Sequence, residues 1–113
     1  MLMALYSKVE EVSALPRNLN SGANGWGFRA WSDLLDDEAP HRKLIERFAA
    51  AYPEAGFALP PYYRDEDYVE ADAAWNGATV SVYYETILSY LWIWSPSRDA
   101  VTSFRAALIP QIS

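Results

Sequence analysis

The sequence predicts an α+β fold, with a three-stranded or slightly larger antiparallel sheet and helices packed on one face. Three observations carry that reading. Residues 67–95 alternate apolar and polar side chains around an Asn76-Gly77 turn. Two other stretches repeat apolar residues at helical spacing beside prolines. The 113 residues are 51% hydrophobic and 21% charged, which is enough for one core, so a single domain over 1–113 is expected.

In chain order, Leu5, Val9 and Val12 fall at i, i+4 and i+7, which favours a helix over residues 4–15 stopped by Pro16. A strand over 3–9 is the competing reading. Residues 17–31 hold Asn18, Asn20, Gly22, Asn24, Gly25 and Gly27 and read as a loop, pinned to the body by Trp26, Phe28 and Trp31. These glycines lack the G-x-G-x-x-G spacing of a phosphate cradle.

A helix follows over 40–52. Pro40 suits its first turn, and Asp36, Asp37 and Glu38 lie just ahead, where the helix dipole favours negative charge. Leu44, Ile45, Phe48, Ala49 and Tyr52 form its apolar stripe, and Pro53 ends it. Residues 53–64 read as a connector stiffened by Pro60 and Pro61.

Three strands are expected over 67–76, 78–86 and 88–95. Val69, Ala71, Ala73 and Trp75 share one face of the first, and Asn76-Gly77 is a strong hairpin signal. Val80, Val82 and Tyr84 oppose Thr79, Ser81, Tyr83 and Glu85 on the second. The third is apolar on both faces, as a central strand should be. A last helix is expected over 96–109, capped by Ser95, striped by Val101, Phe104 and Leu108, and ended by Pro110.

Composition excludes several functions. The absence of cysteine removes disulfides, thiolate metal sites and a cysteine nucleophile. His41 is the one histidine; early in a helix and beside Arg42, it reads as a surface or capping residue and not a general base. The net charge of −6 disfavours direct binding of nucleic acid or an anionic membrane. Asp65-Glu66-Asp67-Tyr68-Val69-Glu70 lacks the third ligand and the glycine of a calcium loop, so neither metal nor cofactor is expected. The first residues lack the pattern of a signal peptide, and Tyr90–Trp94 is far shorter than the roughly 18 residues of a membrane span, so a cytoplasmic location is expected.

The charge is lopsided. Residues 31–75 hold eleven acids and four bases, against four acids and five bases elsewhere. Two clusters carry the excess: Asp33, Asp36, Asp37 and Glu38, and then Asp65, Glu66, Asp67, Glu70 and Asp72. The first also fits plain helix-terminal acids. Helix capping does not account for the second, which lies among Tyr62, Tyr63, Tyr68 and Trp75. Carboxylates beside aromatic rings suit the capture of Lys and Arg, the acids by steering and hydrogen bonding, the rings by contact area and cation–π attraction. The expected partner-binding set is therefore Asp65, Glu66, Asp67, Glu70, Asp72, Tyr62, Tyr63, Tyr68 and Trp75, extended by Asp33, Asp36 and Asp37.

The Trp75–Glu85 hairpin, Leu91-Trp92-Ile93-Trp94 and the Ser95-Pro96 helix start resemble the small acidic immunity proteins of bacterial toxin–immunity systems. The resemblance is one of style and transfers no functional residue. It implies a non-enzymatic inhibitor that blocks a basic site on a cognate toxin or effector. The alternatives are a small ligand- or carbohydrate-binding domain or enzyme using a carboxylate pair and Tyr/Trp platforms, a phage-type anti-defence protein mimicking nucleic acid, and a structural adaptor.

Overall fold

The computed structural model describes residues 6–16, 24–32, 39–57, 68–85 and 89–112; of Pro16, Ala39, Pro40, Tyr68, Val69 and Ile112 it describes the backbone. In order these form β1 (Lys8–Val9), β2 (Ser13–Pro16), β3 (Asn24–Trp31), α1 (Ala39–Ala51), a 3₁₀ turn (Pro53–Ala55), β4 (Tyr68–Trp75), β5 (Ala78–Glu85), β6 (Tyr90–Ser95) and α2 (Arg98–Ile112). Among the described residues six strands make one antiparallel sheet, ordered β1–β3–β6–β5–β4, with β2 also paired to β3.

The C-terminal meander follows the alternation in the sequence. Trp75 pairs with Ala78 across Asn76 and Gly77, whose φ angles of 51° and 75° are the left-handed pair that a two-residue hairpin requires. The doubly apolar β6 lies in the middle of the sheet, between β3 and β5.

The sheet is larger than the meander because residues 6–16 and 24–32 supply three further strands. The segment read as a helix over 4–15 instead supplies β1 and β2, on the free flank of β3. Between them the ladder bulges. Glu10 N–H donates to the Arg29 carbonyl at 2.8 Å, and Arg29 N–H donates to the Glu10 carboxylate at 3.2 Å. Backbone pairing along an open strand edge outweighs a weak local helix preference. The segment read as a loop over 17–31 contains β3, an interior strand. Its glycines do not make turns there: a Cβ at Gly25 would run into the Trp94 indole, and one at Gly27 would meet the Ile93 carbonyl.

α1 matches its expected span. α2 starts later and runs further than expected. Ser97, not Ser95, caps it by accepting from Ala100 N–H at 3.2 Å, while the Ser95 hydroxyl donates to the Thr79 carbonyl at 2.7 Å. Pro110 lies inside the last turns, where the carbonyl deprived of its partner belongs to exposed Ala106. Both helices pack on the sheet face formed by Phe28, Ala30, Val82, Tyr84, Leu91 and Ile93, to which they add Leu44, Phe48, Val101, Phe104 and Leu108.

Candidate functional site

With α1 and α2 on the inner face, the outer face carries the side chains of the opposite parity. Strand register sets them in rows. Glu70, Tyr83, Trp92 and Arg29 lie in one row across four strands. Glu85, Tyr90 and Trp31 lie in the next, and Asp72, Ser81, Trp94 and Gly27 in the row on the other side. The face is thus acidic at the β4 edge and aromatic over β6 and β3.

Glycines on β3 let β6 indoles lie against the bare strand backbone. Trp94, 8% exposed, lies across Gly25, and its Nε1 donates to the Leu15 carbonyl at 3.0 Å. Trp92 Nε1 sits over Gly27, buried and without a hydrogen-bond partner among the described residues. The Trp31 and Tyr90 rings are 5.1 Å apart, Tyr90 and Trp92 6.3 Å, and Tyr83 and Tyr90 6.1 Å. The four rings form a continuous, half-buried strip.

One cation is built into the strip. The Arg29 guanidinium lies 5.3 Å from the Trp92 ring centroid and 5.6 Å from that of Trp31. Glu10 holds it there, accepting from Arg29 Nε at 3.0 Å and from Trp31 Nε1 at 3.2 Å. Partial burial pushes the Glu10 carboxyl up, but the Arg29 and Trp31 hydrogen bonds and the Arg29 charge outweigh it and hold the group below the usual carboxylate range. The Tyr90 phenol is raised above its ordinary value by burial first and by the Glu85 charge second.

The expected binding residues divide. Glu70 and Asp72 are exposed on the outer face, and Asp72 accepts from the Ser81 hydroxyl at 2.9 Å. Tyr68 pairs through its backbone with Glu85. Trp75 turns the other way: half-buried, it packs 5.5 Å from Phe48 and 5.3 Å from Phe104 and donates to Ser103 Oγ at 3.1 Å. Its ring belongs to the packing between sheet and helices. Asp65, Glu66, Asp67, Tyr62, Tyr63, Asp33, Asp36 and Asp37 lie outside the described residues.

The sequence-derived set left out Arg29, Trp31, Tyr83, Tyr90 and Trp92. For the last three the signal was present, because alternation already put Tyr90 with Trp92 and Tyr83 with Glu85. For Arg29 and Trp31 it was hidden by the loop-like composition of residues 17–31.

His41 is not the surface or capping residue expected from its position. It is fully buried, with Nδ1 2.7 Å from the Tyr6 hydroxyl and Nε2 3.0 Å from Ser89 Oγ, and it stacks on Tyr84 at 5.6 Å. Both ring nitrogens are satisfied, so the residue ties the N-terminal segment, α1 and the turn before β6 together. Burial pushes the Tyr6 phenol far above its ordinary value. Among the described residues, no cluster of three His, Cys, Asp or Glu side chains is placed to hold a metal ion. No helix among them is long and apolar enough to cross a membrane.

Compared with known proteins, the chain matches no family model, no curated protein and no solved structure.

Proposed function

We propose that this protein is a non-enzymatic inhibitor of the immunity type, acting in the cytoplasm, which binds and blocks a basic site on a cognate toxin or effector protein. The observation that carries the reading is the outer face of the sheet, opposite the two helices. Both helices cover the inner face, while the outer one sets Glu70, Asp72 and Glu85 beside Tyr83, Tyr90 and Trp92. The acids accelerate encounter with a cationic surface, and the rings supply contact area at low entropic cost. Glu10 is paired with Arg29, Glu46 with Arg42 at 3.0 Å, and Glu11 with Arg105 at 3.5 Å. Asp65, Glu66 and Asp67 immediately precede β4 in sequence and belong to the proposed binding set.

The test is co-expression with the product of the adjacent reading frame. That product should be toxic alone and neutralised by this chain. A Glu70→Lys, Asp72→Lys, Glu85→Lys triple variant should lose protection, and its association rate should fall by about tenfold or more with most of its salt dependence gone. Unchanged protection and binding by the folded triple variant would overturn the proposal. The aromatic strip also offers a stacking platform to a sugar, as in the carbohydrate-binding reading. A glycan that binds competitively with the basic partner would favour that alternative.

A further inference from the structure

The Arg29 guanidinium is fixed on the outer face but only partly used. It lies 5.3 Å from the Trp92 ring centroid and 5.6 Å from that of Trp31, and its Nε donates to Glu10 Oε1 at 3.0 Å. The other Glu10 oxygen is turned away to Trp31 Nε1, so the carboxylate does not clamp the guanidinium with both oxygens. Among the described residues, no acceptor meets Nη1 or Nη2 of Arg29. The rings and the Nε bond set the direction of that end-on pair of donors, and the side chain is 33% exposed.

Two neighbours mark the same spot. Trp94 satisfies its indole N–H at the Leu15 carbonyl, but Trp92, opposite Arg29, has its Nε1 buried over Gly27 without a partner among the described residues. A buried N–H left unpaired is costly, so Trp92 keeps its place beneath Arg29 at the expense of a hydrogen bond. Lys8, exposed and opposite Trp31 in the register, adds a second cation at this end of the face. The acidic edge at β4 lies at the far end of the same sheet, so the outer face carries both signs of charge.

We infer that the Nη1 and Nη2 edge of Arg29 receives a carboxylate, an Asp or Glu side chain of the partner protein, and that Arg29 is the specificity-determining residue of the interface. This rests on the proposed binding of a basic protein by the outer face and adds a condition to it. Acids attract any cationic surface. Arg29 repels a surface that brings a cation over it and favours one that brings a carboxylate, which is how one basic protein is told from another. The two oxygens of a carboxylate match the planar fork, one on each Nη group. A phosphate, with close to two negative charges, is opposed by the net charge of −6 and by ionised Glu10 alongside.

The test uses the full chain and two capped probe peptides, Lys-Lys-Glu-Lys-Lys and Lys-Lys-Gln-Lys-Lys, in low-salt buffer, followed by NMR of the Arg29 Nε–H and the tryptophan indole N–H groups. The glutamate peptide carries one positive charge fewer, so attraction to acids alone favours the glutamine peptide. The glutamate peptide should nevertheless bind about threefold tighter or more and shift the Arg29, Trp31 and Trp92 signals. Arg29→Lys keeps the charge without the fork and should abolish that preference; if this variant does not fold, the wild-type ratio and shifts decide alone. Equal binding of the two peptides, tighter binding of the glutamine peptide, or a glutamate preference that survives in folded Arg29→Lys would overturn the carboxylate seat while leaving the acidic face as a docking surface. No response of the outer face to either peptide would overturn both.

Discussion

The two faces of the sheet hold similar side chains and use them differently. On the inner side, Phe48, Trp75 and Phe104 interlock with centroid separations of 4.7 to 5.5 Å, and the polar tip of Trp75 is satisfied by Ser103. On the outer side, Trp31, Tyr83, Tyr90 and Trp92 lie in a looser strip, 5.1 to 6.3 Å between neighbours, bordered by Arg29 and Glu85. The inner group has helices over it; the outer group stays half-exposed. An aromatic count therefore does not separate a packed core from a half-exposed surface. What packs over the rings, and which charges border them, does.

Removing an inner ring should have the largest effect. Phe104 is fully buried against Phe48 and Trp75, so Phe104→Ala should cost about 3–5 kcal/mol and shift the denaturant midpoint accordingly. An equal loss from an outer-strip substitution such as Tyr90→Ala would break the contrast between the faces.

Gly25→Ala comes next. The new methyl collides with the Trp94 indole, which must leave its seat and its bond to the Leu15 carbonyl. The cost should be about 1–3 kcal/mol, accompanied by a change in near-ultraviolet circular dichroism. An unaltered spectrum would show that the strip does not depend on the bare β3 backbone.

The smallest effect should come from Glu10→Gln. The Glu10 carboxyl is held below its unfolded value, so its ionisation stabilises the fold at pH above the ordinary carboxylate range. That contribution is lost as pH falls through the folded value. Unfolding curves of the wild type and Glu10→Gln should therefore differ at pH 7 and converge in acid. A gap of constant size would assign Glu10 a packing role in place of an electrostatic one.

Much of the chain from residue 39 onward was legible because its signals are local. The helical stripe of Leu44, Ile45 and Phe48 defined α1. Asn76-Gly77 defined the hairpin, and a strand apolar on both faces announced that β6 is central. The same alternation exposes Glu70 and Asp72 and places Trp75 on the opposite face, so Trp75 cannot anchor a partner beside those acids. The N-terminal part misled for the converse reason. β1, β2 and β3 are strands because distant chain completes their ladders: Trp31 pairs with both Lys8 and Tyr90, and Gly27 with both Ser13 and Trp94.

Taken alone, the order of residues determined the α+β class, the helix after Pro40, the hairpin at Asn76-Gly77 and an excess of acids in the middle of the chain. Those follow from periods of two and 3.6 residues and from formal charge, which need no knowledge of distant contacts. Tertiary structure decided that glycine-rich residues 24–31 are an inner strand, that His41 is buried between Tyr6 and Ser89, and that Arg29 lies on Trp31 and Trp92. Each depends on a partner at least nineteen residues away along the chain or on a side chain lying across a bare backbone, with the exception of the Arg29–Trp31 contact, which β3 makes within itself. Local propensity is blind to such partners, and the energy of pairing and burial that they supply overrides it.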